Sequence, residues 1–330
     1  MKRRTACNAM LLVMAALSSR MPRAQVVGRP ARLAFLVEPA LEAPLQQAIV
    51  KALLEGLRAL GYVEGRNFSI EFRSADGNFS RLPTMAEELL RQRPDVLVTA
   101  WPASAMAAKE ATRTVPVVAV SVDNPVAMGL AQSFSRPGGN ITGIGSWALE
   151  IVAKRLQVLR EFVPTARRVG ILFNPDAVGP GGLEPALTNW QKGLGLAIHP
   201  YPARGPTDFD GAFAAMVRDG IGGLLVFADS NTYTHRVLLN QMCLQRRMPS
   251  VWGGRDFMTG GALASYQSDF PDMFRRSAAL IGKILKGAKP GEVPFEQSSK
   301  LELVIDAKAA RALGVVVPPA LLLSADHVIE

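Results

Sequence analysis

Cysteine is nearly absent, with only Cys7 and Cys243 among 330 residues. Cys7 falls in a basic and apolar opening segment that reads as destined for removal, so Cys243 is left alone and no internal disulfide can form. Histidine is almost as scarce: His199, His235 and His327 stand far apart without ligand spacing. Neither H-E-x-x-H nor C-x-x-C accompanies them, so no metal is expected. The phosphate loop ending in Gly-Lys-Ser/Thr, the G-x-S-x-G elbow and a complete G-x-G-x-x-G are missing too. The reading is a protein that is not an enzyme and carries no cofactor. No apolar run reaches the roughly 20 residues needed to cross a bilayer, so no integral membrane segment is expected in the mature chain. The formal net charge is +9, but Lys2, Arg3, Arg4, Arg20 and Arg23 supply five of those charges within residues 1–24, where there is no acid. The remaining +4 includes no dense Lys/Arg run interleaved with aromatics, which argues against nucleic acid as a partner.

The basic start has the layout of a targeting segment. Lys2-Arg3-Arg4 precedes an apolar run over 9–17 and then Ser18-Ser19-Arg20-Met21-Pro22-Arg23-Ala24, the order of a signal peptide occupying residues 1–24 and cleaved near Ala24. Cys7 comes before the apolar run, where it cannot accept a lipid, so the expected product is a free periplasmic protein.

Beyond the leader the composition is globular, with 48% hydrophobic residues, and the length suits two domains at roughly 150 residues each. Short apolar runs alternate with amphipathic ones. The run over 32–37 reads as a buried parallel strand, and Leu45, Ile49, Leu53, Gly56 and Leu57 follow at helical spacing. Strands are predicted again at 67–73, 96–99 and 115–122, with helices over 82–91 and 104–112 between them. Pro137-Gly-Gly-Asn140 punctuates the chain, and the alternation restarts with a long helix carrying Val152, Leu156 and Leu159 and a strand over 168–173. Such alternation builds parallel sheets covered by helices on both faces. Two similar α/β lobes are the simplest account.

In open parallel sheets, ligands bind beyond the carboxyl ends of the strands. The strand over 96–100 stops before Trp101-Pro-Ala-Ser104, where Pro102 suits the first helical position and leaves the amides of Ala103 and Ser104 at a positive helix start, ready for a carboxylate. Asp123 and Asn124 end the next strand; Asp123 can accept a ligand ammonium or act as a turn residue. Asp229, Ser230 and Asn231 repeat the design in the second lobe and make equally good helix caps. Asn174 completes the rim. Trp101, Trp252 and Tyr266 place aromatic faces near strand ends, where they can stack on a ligand or belong to the core.

At these residues the chain resembles the ABC transporter substrate-binding protein family that includes tryptophan/tyrosine-type binding proteins. Carrying the resemblance are Gly56-Leu-Arg-Ala-Leu-Gly-Tyr-Val-Glu-Gly-Arg-Asn67, Arg93-Pro-Asp-Val-Leu-Val98, Arg136-Pro-Gly-Gly-Asn-Ile-Thr-Gly143, Lys300-Leu-Glu-Leu-Val-Ile305 and Ala325-Asp-His-Val-Ile-Glu330. The resemblance implies the type I periplasmic binding protein fold, two doubly wound parallel-sheet lobes joined by three crossing hinge segments near 142–147, 263–267 and 295–301. It divides the chain into a signal peptide (1–24), an N-terminal lobe (25–143 plus 267–296) and a C-terminal lobe (144–266 plus 297–330). It also implies that Glu38-Pro-Ala-Leu41 is a ligand loop, one residue shorter than the family's usual Glu-His-Pro-Ala-Leu. Trp101-Pro-Ala-Ser104 stands where the family often has Thr-Pro-Ala-Ala. The implied function is a periplasmic receptor that captures an amino acid or related small carboxylate and delivers it to an ABC permease and its ATPase. The alternative is a ligand-binding sensor module for a membrane signalling partner.

Overall fold

Continuous apolar strands become stable only when helices cover both faces of their sheet, and the element order meets that need. The structure, a computed structural model, describes residues 29–122, 124–146, 151–176 and 183–330, the side chains of Pro185 and Ser230 excepted. The leader over 1–24, Asp123 and Trp147 lie outside the described residues. The first half runs β1 (Ala31–Val37), α1 (Pro44–Ala59), β2 (Phe68–Ser74), α2 (Leu82–Arg91), β3 (Val96–Ala100), α3 (Pro102–Ala111), β4 (Val117–Val122) and β5 (Ile141–Gly145). The second runs α4 (Val152–Phe162), β6 (Arg168–Phe173), α5 (Glu184–Leu194), β7 (Ala197–Pro202), α6 (Pro206–Arg218), β8 (Gly223–Val226), α7 (Ser230–Thr234), α8 (Arg236–Gln245), β9 (Ser250–Trp252) and β10 (Ala264–Ser268). The chain closes with α9 (Phe270–Leu285), β11 (Glu296–Gln297), β12 (Leu301–Asp306), α10 (Ala307–Leu313), α11 (Pro319–Ser324) and β13 (His327–Ile329).

The first sheet has the order β11-β5-β4-β3-β1-β2, with every neighbouring pair parallel. The second has the order β13-β12-β10-β9-β8-β6-β7, parallel except where β12 runs against β10. The chain passes between the sheets three times: after β5, between β10 and α9, and between β11 and β12. These passages lie side by side. The Ser298 amide donates to the Gly145 carbonyl at 2.9 Å, and the Asp269 amide donates to the Lys300 carbonyl at 3.0 Å. Lys300 Nζ also donates to Asp269 Oδ2 at 2.6 Å. Two parallel-dominated lobes joined by three crossings is the predicted fold.

Leu36, Leu97 and Ala119 pack one face of the first sheet beneath α2 and α3. Phe35, Val98 and Val120 pack the other face beneath α1 and α9, in an apolar cluster that continues into the second lobe through Phe209, Phe213 and Trp252. Val169, Ile171, Leu225 and Val251 form a separate core with α4 and α5. β5 carries two glycines for a steric reason: a Cβ added at Gly143 would lie 1.7 Å from the Ala119 carbonyl oxygen of β4. Among the described residues, no helix is long and apolar enough to cross a membrane.

Candidate functional site

The carboxyl ends of β1 and β3 are neighbours, with Val37 registered against Ala100, so Glu38 and Trp101 leave the sheet side by side. Glu38 is buried, at 5% exposure, and its Oε1 accepts the Ser104 amide at 3.0 Å. This corrects one expectation. The Ser104 amide is not open to a ligand carboxylate, because the chain places its own carboxylate there, one strand away and against the positive end of α3. Ser104 is itself fully buried, its hydroxyl donating to the Ala100 carbonyl and, at 3.0 Å, to that of Trp101. Glu38 and Ser104 thus build the loop, and Ala103 stands half-buried beside them.

Trp101 precedes α3 with φ 77° and ψ 163°, a region that costs a side-chain-bearing residue on the order of 1–3 kcal/mol and persists where surrounding structure imposes it. Its amide continues the sheet by donating to the Val120 carbonyl at 3.0 Å. The indole ring meets Phe270 edge-on, with centroids 4.6 Å apart, while its Nε1 is buried without a hydrogen-bond partner among the described residues. Next along the sheet, β4 carries a register shift between Val120 and Val122 against β5, and buried Ser121 takes φ 63° there. A bulge of this kind re-aims side chains at a strand end. Asn124 holds the following turn, its Oδ1 accepting the amides of Val126 and Ala127 at 3.1 and 3.0 Å. Helix α1 adds Gln46, fully buried in its first turn, with neither Nε2 nor Oε1 partnered among the described residues.

In the second lobe Asp229 is the N-cap of α7. Its Oδ1 accepts the Thr232 amide at 2.9 Å, and the Thr232 hydroxyl accepts the Asp229 amide at 3.0 Å. The backbones of Asn231 and Asn174 also act on its carboxylate and lower its pKa, so the ends of β6 and β8 meet at this group. Desolvation outweighs these effects and pushes its pKa up to about 6. Asn174 is buried and accepts the Asp176 amide at 3.0 Å, while Asn231 Nδ2 donates to the Ala203 carbonyl at 3.4 Å. Ser230 opens α7.

Trp252 is a second correction. It is fully buried in the core, and its Nε1 donates to Ser250 Oγ at 2.8 Å, so neither ring face nor N–H is left for a ligand. Apolar burial of the largest side chain took precedence over its place at a strand end. Tyr266 packs against the core on the α4 side of the second sheet, where its carbonyl accepts Arg155 Nε at 2.6 Å.

The lobes approach at this level, where the Leu45 backbone lowers the Tyr233 hydroxyl's pKa against the larger raising effect of burial. Tyr233 is braced edge-on by Phe257 at 5.2 Å and lies under the Arg236 guanidinium at 4.2 Å. Sequence reading passed over Gln46, Ser121, Arg155 and Tyr233. Two of these carried a signal, since Gln46 shares the stripe of Ile49 and Leu53, and Arg155 that of Val152 and Leu159. A polar residue on a buried stripe is worth asking about.

The sequence profile of the family described as ABC transporter substrate binding protein matches residues 35–329. A tyrosine-binding protein of Clostridioides difficile (strain R20291) is 22% identical over 275 residues, covering 83% of this chain and 79% of that protein. A conserved domain protein from Vibrio cholerae superposes with a TM-score of 0.84 at 26% identity, covering 91% of this chain and 100% of that one. The ABC domain in complex with L-Trp from Streptococcus pneumoniae superposes with a TM-score of 0.82 at 22% identity, with the same coverage.

Proposed function

The chain belongs to the ABC transporter substrate binding protein family, and from that premise we propose that it is an exported receptor that closes its two lobes on an amino acid and delivers it to an ABC permease and its ATPase. The observation that carries the amino-acid reading is Asp229. A desolvated carboxylate whose pKa is pushed up to about 6 by burial gains from a cation supplied by the ligand, and an α-ammonium is such a cation. The tyrosine-binding relative and the L-Trp complex support the same class. The basic, then apolar, then small-residue order of residues 1–24 supports export to the periplasm. Closure would bend the three crossings, close to residues 146, 269 and 299, while the two sheets move as bodies.

A thermal-shift screen of the twenty amino acids and their deaminated carboxylates tests this reading. At 100 times its dissociation constant a ligand stabilises the folded protein by about 2.7 kcal/mol. At least one amino acid is expected to raise the melting temperature more than its deaminated counterpart; no shift with any of them would refute the reading.

A further inference from the structure

Taking a guanidinium out of water is costly unless acceptors receive it, so a buried arginine has to be held by polar groups on every side the fold presents to it. Arg155 stands at 4% exposure on the buried stripe of α4, with Val152, Leu156 and Leu159. Its Nε donates to the Tyr266 carbonyl at 2.6 Å and its Nη2 to the Gly253 carbonyl at 3.2 Å. Those carbonyls lie one residue past the point where β9 and β10 stop pairing, at Trp252 against Ser265, so the planar fork joins two strand ends that the main-chain ladder has left. Gly253 lies against the Asp229 loop: Val226 of β8 is registered with Trp252, and a Cβ added at Gly253 would lie 2.2 Å from the Cβ of Ala228, the residue before Asp229. Gly254 is set as tightly against β10, where an added Cβ would lie 2.1 Å from Gln267 Oε1. Tyr266 and Gln267 in turn lead to Asp269, whose amide and carboxylate both bond Lys300 at the crossings.

Resting on the reading of Asp229 as a ligand group, we propose that Arg155 is a positioning residue that makes the Asp229 loop and the crossing between β10 and α9 one mechanical unit. It acts through the two carbonyls. Gly253 passes the restraint to Ala228 and Asp229, because the lack of a side chain lets its backbone lie against that loop. Tyr266 passes it to Asp269, three residues on, where the chain leaves the second sheet. A displacement of the loop by a ligand is then shared with the crossing instead of being absorbed between them. Lysine at this place would keep the charge but replace the planar fork by a point charge on a flexible stem.

The test is hydrogen exchange, read by mass spectrometry, on the ligand-free parent, Arg155→Lys and Gly253→Ala. In Arg155→Lys the segments 226–233, 252–258 and 264–270 should all exchange faster by about fivefold or more, while segments 31–37 and 96–111 of the first lobe keep the parent's rates. Gly253→Ala leaves both carbonyl acceptors of Arg155 in place but drives Ala228 aside, so it should loosen 226–233 and spare 264–270; it decides the matter alone if Arg155→Lys does not fold. Parent rates in all three segments of Arg155→Lys, a rise in only one of them, or a rise spread over the whole chain, as a merely structural arginine would give, would overturn the proposal. So would parent rates at 226–233 in Gly253→Ala. Titration calorimetry with L-tyrosine and L-tryptophan adds the functional arm: Arg155→Lys should weaken whichever of them the parent binds by about threefold or more, because the loop is no longer held in its binding position. Unchanged affinity would overturn the link to the ligand site. Failure of the parent to bind either would count against the amino-acid reading, and the exchange pattern alone would then decide the coupling.

Discussion

Replacing Asp229 by Asn separates the carboxylate's charge from its capping geometry. Asn is as good an N-cap as Asp, so α7 should persist while the buried charge disappears. In the folded protein the Asp229 pKa is raised from 3.8 to about 6, so the folded state holds a proton over a window in which the unfolded chain has lost it. The group's favourable contribution is therefore complete below about pH 3.8 and is lost as pH rises through about 6. A shift of roughly two units corresponds to about 3 kcal/mol at most. Urea denaturation of both proteins between pH 5 and pH 8 reads this directly, because the acid sensitivity of every other group cancels in the difference. The variant should be more stable than the parent by about 1–3 kcal/mol at pH 8, with the gap narrowing as pH falls through 6. A gap independent of pH, or a variant less stable at pH 8, would refute the claim that this carboxylate is held charged at a cost.

Glu38→Gln keeps an acceptor for the Ser104 amide but removes the charge at the start of α3, and urea denaturation should register a loss of about 0.5–2 kcal/mol. Gly143→Ala would force a methyl to within 1.7 Å of the Ala119 carbonyl oxygen, so β4 and β5 must separate; the expected loss exceeds about 4 kcal/mol and should appear as a fall in soluble yield and urea midpoint. Tyr233→Phe removes the hydroxyl on which the Leu45 backbone acts across the lobes, and ligand-free small-angle scattering should give a larger radius of gyration than the parent. Affinity for an amino acid should be flat above about pH 7 and fall below about pH 6 by at most tenfold per unit, as Asp229 takes up a proton; titrations at stepped pH check it.

Much of the fold was legible because parallel strands buried on both faces announce themselves as short apolar runs. The run predicted over 32–37 is β1, and Pro102 opens α3 where its missing N–H is harmless. β5 was read only as a crossing, since its Thr-Gly-Ile-Gly sequence has little strand propensity; Gly143 is there because the β4 backbone leaves no room for a side chain. Helices α7 and α8 meet at His235, because Asp229 and Thr232 close a capping box that starts a short helix ahead of α8. Glu38, Trp101, Asn174 and Asp229 all stand just beyond strand ends, as the apolar runs before them imply. What each does was not legible. That Glu38 fills the Ser104 amide and that Trp252 turns into the core depend on which strands are neighbours, and sequence spacing does not encode that.

The most direct test of the account is a calorimetric comparison of L-tyrosine with its deaminated analogue, 3-(4-hydroxyphenyl)propionate, on the parent and on Asp229→Asn at pH 7.5. If the Asp229 carboxylate holds the ligand's ammonium, the parent should prefer the amino acid by about tenfold or more, and the variant should lose most of that preference while binding the analogue as the parent does. Equal preference for the amino acid in both proteins would contradict the account.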